Sequence, residues 1–266
     1  MNRDGYLNET TPRLHYTDRG TADDTTLVLL HGLQDCAANW SGAADRLADH
    51  YRVIALDLRG HGDSDRSAEG AYSQADFSSD IGRLLRELDL RDVVLVGHSY
   101  GGKVATAFAS ASPDRIAALV AVDSDIAANS HGELEHASAV GWRSLAEVID
   151  YLSTLQPYAT NAVIEHQATH LTTKLPGDRW VLKADPAVLE VHIREDLQQE
   201  WSKLRCPTLI LRGRASAVLA HDAAVALREA RPGSRITELE GAGHWPHQEV
   251  PGAFDSTLRW FLNNSL

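Results

Sequence analysis

The stretch Val93-Val94-Leu95-Val96-Gly97-His98-Ser99-Tyr100-Gly101-Gly102 constrains the fold of this chain more than any other. Four apolar, mostly β-branched residues in a row leave no polar face for water. That is the pattern of a strand buried on both sides inside a parallel sheet. Gly97, Ser99 and Gly101 follow, and residues 103–111 then have the small, alanine-rich composition of a buried helix. A strand that becomes a helix within one or two residues strains the backbone at the bend. It also brings two backbones almost into contact, so the positions two away on either side must be small, and glycine meets that need. The Ser99 hydroxyl is expected to stand clear of the sheet at the positive end of the helix dipole, where negative charge is favoured.

The rest of the chain supplies the sheet that such a bend requires. Short apolar runs at 27–30, 53–56, 116–122, 208–211 and 236–239 predict further buried strands. Helices are predicted over 35–49, with Trp40, Ala43, Ala44 and Leu47 on one face, and over 73–90, with apolar positions 77, 81, 84, 85 and 88. Two more are predicted at 222–230 and 254–262. Residues 13–17 alternate weakly and predict an edge strand. Up to residue 122 strand and helix alternate, which implies right-handed crossovers and a parallel sheet. From 124 to about 203 the rhythm breaks, with no buried strand and with helical segments predicted over 145–155 and 188–204. The expected organisation is a core of residues 1–125 and 204–266, with a helical cap at 126–203 inserted between two core strands. Trp142, Trp180, Leu152 and Leu155 belong either to the core of that cap or to an apolar pocket beneath it, and the cap core is the preferred reading.

The strand, the Gly-x-Ser-x-Gly bend with its extra Gly102, and the helix after it resemble the nucleophile elbow of the α/β-hydrolase superfamily. The resemblance extends over nearly the whole chain, because the inserted segment falls where relatives carry a cap. It implies an α/β fold with a mostly parallel, eight-stranded-type sheet flanked by helices, an inserted helical cap, and the activity of a serine esterase.

A serine hydroxyl is a poor nucleophile at neutral pH and needs a base to take its proton. His244, in Glu240-Gly-Ala-Gly-His244-Trp245 just past the last strand, is the candidate; the glycines leave its loop free to fold back over the sheet. The superfamily's general-base histidine occupies the same place. An oxyanion hole needs two backbone N–H groups. One is expected from Tyr100, after the nucleophile, and the other from Leu33, since His31-Gly32-Leu33 resembles the family's His-Gly strand end. The acid that orients the histidine is less direct. The usual family position lies just past Gly213, but Gly213-Arg-Ala-Ser216-Ala-Val218 has a serine there. Asp123, at the end of the strand after the elbow, is the expected acid, because some superfamily members place it there. Asp125 and Asp222 are the alternatives, and Asp222 also reads as a helix cap.

Other readings are weaker. His98 is expected to pack inside the bend, and His31 and His61 to hold loops by hydrogen bonds. His166 and His170 have metal-helix spacing but lack the glutamate of H-E-x-x-H, so a solvated cap face is expected instead. Gly60-His-Gly62 has Asp65 where a dinucleotide fingerprint needs its third glycine, and there is no P-loop pattern. No cofactor and no metal are implied. With 37 acidic against 25 basic residues, the net charge of −12 argues against nucleic acid and anionic membranes as partners and leaves a small-molecule substrate. No run approaches the length of a membrane span. Cys36 and Cys206 are too sparse to suggest a disulfide framework, and residues 1–20 do not read as a secretory signal, so a cytoplasmic setting is expected. The substrate expected is a small or medium carboxylic ester or a lactone. Carbon–carbon bond hydrolases, perhydrolases and cofactor-free dioxygenases keep the serine and histidine and stay open, as does a non-catalytic binding protein on the same fold. Aspartate-nucleophile relatives are disfavoured, since their alkyl-enzyme ester requires a carboxylate at the elbow.

Overall fold

The computed structural model describes residues 3–7, 11–21, 25–128, 141–190 and 195–266. Eight strands form one sheet in the order β1 (Arg3–Leu7), β2 (Leu14–Arg19), β4 (Arg52–Leu56), β3 (Thr26–Leu30), β5 (Val93–His98), β6 (Ile116–Val122), β9 (Thr208–Gly213) and β10 (Arg235–Leu239). β1 and β2 are antiparallel to their neighbours, and every pairing from β4 onward is parallel. The apolar run of β5 lies at the centre because both of its faces are covered. Val93 and Leu95 join the core on one side, and Val94 and Val96 join the core on the other.

Helices α2 (Gln74–Glu87) and α3 (Tyr100–Ala111) cover the first face, together with α6 (Gln198–Lys203) and α7 (His221–Ala230). The opposite face is covered by α1 (Ser41–Leu47) and by α9 (Pro251–Asn263), which follows the four-residue turn α8 (Pro246–Glu249). α2 starts where Ser73 and Asp76 cap each other's backbone N–H groups, which satisfies two donors at its first turn. The predicted helix over 35–49 is present in two parts: a 3₁₀ turn, Ala37–Trp40, leads into α1, and Trp40, Ala43, Ala44 and Leu47 are all buried.

Several elements differ from expectation. Residues 14–17 of the expected strand lie within β2, which is not the edge, because β1 pairs outside it. β1 carries one buried residue, Leu7, so its polar sequence gave no periodic signal. The helix expected over 188–204 is present only as a 3₁₀ turn, Pro186–Glu190, and α6; residues 191–194 lie outside the described residues.

Between β6 and β9 the insertion holds α4 (Leu145–Leu155), α5 (Asn161–Leu171) and a hairpin of β7 (Thr172–Leu175) with β8 (Arg179–Leu182). The hairpin was not expected; it turns through Pro176, Gly177 and Asp178, the last two at positive φ. Val148, Leu152, Ile164, Ala168 and Leu171 form a separate apolar cluster, with Trp142 and Trp180 packed against it. Leu152 and the two tryptophans therefore belong to the core of the insertion. Leu155 is half-buried at the end of α4. Cys36 of the main fold joins this cluster, and both cysteines are free and buried. Among the described residues no helix is long and apolar enough to cross a membrane.

Candidate active site

The bend after β5 is as tight as its glycines imply. Ser99 sits at φ 50°, ψ −120°, a conformation that a side chain rarely adopts. A Cβ on Gly97 would meet the carbonyl of Gly101, and one on Gly101 would meet the carbonyls of Leu30 and His31. The bend is pinned on both sides: Ser99 N–H donates to Val122 O at 2.9 Å, while its carbonyl accepts from Ser124 Oγ at 2.6 Å and Gly102 N–H at 3.0 Å.

His244 reaches this bend from the far end of the chain. His98, the residue before Ser99, bonds the His244 carbonyl through Nε2 at 2.8 Å, and the two rings are 4.6 Å apart. A carbonyl can only accept, so His98 Nε2 carries the proton. Gly243 N–H donates to Glu249 Oε2 at 2.7 Å, which ties the His244 loop to α8. Tyr158 of the insertion lies over the same loop; a Cβ on Gly243 would be 3.4 Å from its ring.

On the other side of the ring, His244 Nδ1 is 3.0 Å from Asp123 Oδ1. Asp123 is fully buried, at φ 46°, with its N–H donating to Leu211 O. Its carboxylate also accepts from Gly213 N–H at 2.8 Å and from Ser216 Oγ at 2.5 Å. Of the three aspartates weighed from the sequence, Asp123 is the one in contact with His244. Asp125 is half-buried, and its charge bears on Lys103, whose Nζ donates to Glu195 O at 2.8 Å. Asp222 is exposed in the first turn of α7, accepting from Ala223 N–H; Ala220 holds the cap position. Ser216 was legible only as a departure from the family pattern, and its bond to Asp123 was not foreseen.

Gly32 and Tyr100 adjoin the serine from two elements. Gly32 packs on Ser99, since a Cβ there would be 3.1 Å from Ser99 Cβ, and Leu33 follows it. Tyr100 opens α3, so its N–H belongs to the first turn, where no intrahelical acceptor exists. Its side chain is buried edge-on against Phe77, and burial with the Glu195 charge pushes the phenol well up.

The other histidines singled out from the sequence are held by hydrogen bonds to the backbone. His31 Nε2 accepts from Leu58 N–H at 3.0 Å and Nδ1 donates to Gly32 O at 2.7 Å, which locks the ends of β3 and β4 together. His61 Nδ1 donates to Arg59 O, and burial pushes its pKa down to about 3, with His31 adding to the shift. The His166 and His170 pair does not form the solvated face expected of it. His166 Nε2 donates to Ala38 O at 2.9 Å, tying α5 to the main fold, and His170 Nδ1 donates to the His166 carbonyl. Among the described residues, His15, Asp57 and Asp63 could approach one metal ion. Their atoms are already engaged: His15 Nδ1 bonds Asp57 at 2.7 Å, Asp57 accepts from Ala37 and Asp63 N–H, and Lys183 pairs with Asp63. That arrangement shapes a loop.

A sequence profile described as alpha/beta hydrolase fold matches residues 25–251. The chain belongs to this family. The hydrolase is 28% identical to the 2-(acetamidomethylene)succinate hydrolase of Mesorhizobium japonicum, over 89% of this chain and 86% of that protein. It is 29% identical to the sn-1-specific diacylglycerol lipase of Mus musculus, over 91% and 82% of the two chains. The match to a putative carbamate hydrolase of Caulobacter sp. is 26% over 94% and 95%. Among solved structures, an E-2-(acetamidomethylene)succinate hydrolase superposes with a TM-score of 0.89, covering 99% of this chain and all of that one at 24% identity. That likeness shows the fold.

Proposed function

We propose that this hydrolase cleaves a small or medium carboxylic ester or lactone through an acyl-enzyme on Ser99. The observation that carries the reading is the 3.0 Å contact between His244 Nδ1 and the buried Asp123 carboxylate, in a loop that His98 holds to the elbow. With Nδ1–H donating to Asp123, Nε2 is left as the base. In the proposed reaction Ser99 Oγ attacks the carbonyl carbon while His244 takes its proton. The N–H groups of Leu33 and Tyr100 hold the oxyanion. His244 then protonates the leaving oxygen, and a water deprotonated by the same ring releases the acid. Asp123 keeps the tautomer and supports the imidazolium. Every step uses side chains or backbone N–H groups of this chain, with water as the co-substrate. The insertion is read as the cap, a reading supported by the approach of Tyr158 to Gly243, beside His244, and by the bond of His166 to Ala38 of the main fold. A cytoplasmic setting suits the two free buried cysteines and the acidic surface.

The named relatives act on, or are named for, a succinate derivative, a diacylglycerol and a carbamate. The test therefore pairs a short-chain chromogenic ester with the anilide and carbamate of the same chromophore. Turnover of the ester, lost in Ser99→Ala, together with a mass adduct on Ser99 after organophosphate treatment, supports the proposal. A folded protein with no adduct removes the nucleophile. An adduct without ester turnover moves the reading to another carbonyl substrate.

A further inference from the structure

Two buried aspartates bear on His244, Asp123 directly and Asp35 through His98, and their oxygens are engaged in opposite ways. Asp123 accepts hydrogen bonds on both oxygens. Asp35, 7% exposed, accepts on one only: Cys36 N–H at 2.7 Å and Asn39 Nδ2 both meet Oδ1. Its Oδ2 is buried and has no partner. Across from it, 3.9 Å away, is Nδ1 of His98, also buried and without a partner. Because His98 Nε2 donates its proton to the His244 carbonyl, a neutral ring presents a lone pair at Nδ1. An ionised Asp35 would oppose two acceptors in a buried site and leave a negative charge unmatched, which is costly. Donors gathered on one oxygen fit a carboxylic acid: Oδ1 is the carbonyl and Oδ2 the hydroxyl.

We propose that Asp35 is held as the neutral acid with its proton on Oδ2 directed at His98 Nδ1, and that Asp35 and His98 together position the His244 backbone. The charged and titratable groups around the pair agree. Burial raises the Asp35 carboxyl and Asp57 adds to the rise, whereas His31, Cys36 N–H and Asn39 oppose it. Burial drives His98 well down, His244, His247 and His31 push the same way, and only the bond to the His244 carbonyl opposes them. The alternative, an imidazolium paired with a carboxylate, would set a cation among three other histidine rings. Neither Asp35 nor His98 touches the reacting atoms; both act through the loop that carries His244.

The kinetic consequence rests on the proposed triad, but the protonation state does not, so their failures are separable. The infrared difference between wild type and Asp35→Asn, taken at neutral pH, is expected to show the carbonyl band of an un-ionised carboxyl, shifted by deuteration. The ¹³Cγ resonance of Asp35 in the wild-type protein reads the same state without any variant. A difference spectrum or resonance of a carboxylate at neutral pH overturns the proposal. In turnover, Asp35→Ala is expected to lower kcat on the order of tenfold with KM little changed, because a displaced base costs rate before it costs binding. Asp35→Asn, whose amide can donate to Nδ1, is expected to recover most of that loss with the same pH profile. Wild-type kcat in Asp35→Ala would overturn the positioning role even with the acid band present.

Discussion

Ser216 gives its hydroxyl to Asp123 across 2.5 Å, from the loop where the superfamily pattern has its acid. β6 and β9 are adjacent, with Val122 opposite Leu211, so residues just past either strand can reach the same point beneath His244. Moving the carboxylate from one strand end to the other therefore leaves His244 with an acid at nearly the same place. Ser216 Oγ also accepts from Val218 and Leu219 N–H, which holds the loop in shape.

The first prediction exchanges the two positions. Asp123→Asn should reduce kcat on the order of 10³- to 10⁴-fold, because an amide favours the wrong histidine tautomer. Adding Ser216→Asp to that variant should recover part of the loss, since the new carboxylate starts from a hydroxyl already aimed at position 123. Measuring kcat for the single and double variants decides it. A double variant no better than Asp123→Asn would show that the two strand ends are not interchangeable.

Gly213 allows a second test of how the site is clasped. A Cβ there would collide with the carbonyls of Gly243 and Ala242, just before His244, and Gly213 is the residue whose own N–H binds Asp123. The obstacles are backbone atoms, so no rotamer relieves them. Gly213→Ala should lower both the melting temperature and kcat, whereas Gly252→Ala, with open space at its Cβ, should leave both near wild type. Equal effects of the two substitutions would refute the steric account.

The elbow, the central strands and His244 were legible because each rests on a local signal. Val93 to Val96 are apolar without a break since both faces of β5 are covered, and Gly97 and Gly101 mark a backbone contact that only glycine permits. Asp123 was favoured among three aspartates, but its bond to Ser216 was not legible, because it depends on β6 and β9 being neighbours across 85 residues of chain. β1 escaped notice since Leu7 is its one buried side chain. The β7–β8 hairpin did carry a signal, Thr-Thr-Lys-Leu before Pro176-Gly177-Asp178 and Trp-Val-Leu after it, which the helical reading of the insertion passed over.

A chain of side-chain amides, buried at Gln156 and Gln167 and half-buried at Gln248, links the insertion to the main fold. The side chains of Gln156 and Gln167 bond each other reciprocally, Gln167 Nε2 also donates to Gln248 Oε1, and Gln248 Nε2 donates to Asn39 O at 2.9 Å. Gln167→Leu would fit the volume but strand both partners. A loss of about 1–3 kcal/mol is expected from those orphaned groups. Urea unfolding would register it as a lower midpoint, and an unchanged midpoint would mean that the amides find other partners.

The last prediction concerns acid. Burial drives His61 and His247 down to about 3, and His31 and His244, respectively, add to the shift. In the unfolded chain both would titrate near 6.5, so between 6.5 and 3 the unfolded state binds protons that the folded state refuses. Stability tied to these two rings is therefore fully present above 6.5 and is lost as the pH falls towards 3, at about 1.4 kcal/mol per pH unit for each. His247 offers the cleaner test, because neither of its nitrogens has a partner and its ring stacks on Trp40 at 4.1 Å between centroids. His247→Phe keeps a stacked ring and removes the proton, so the slope of unfolding free energy against pH should flatten by one proton's worth in that window. A slope unchanged from wild type would mean that His247 takes its proton in the folded state as readily as in the unfolded chain.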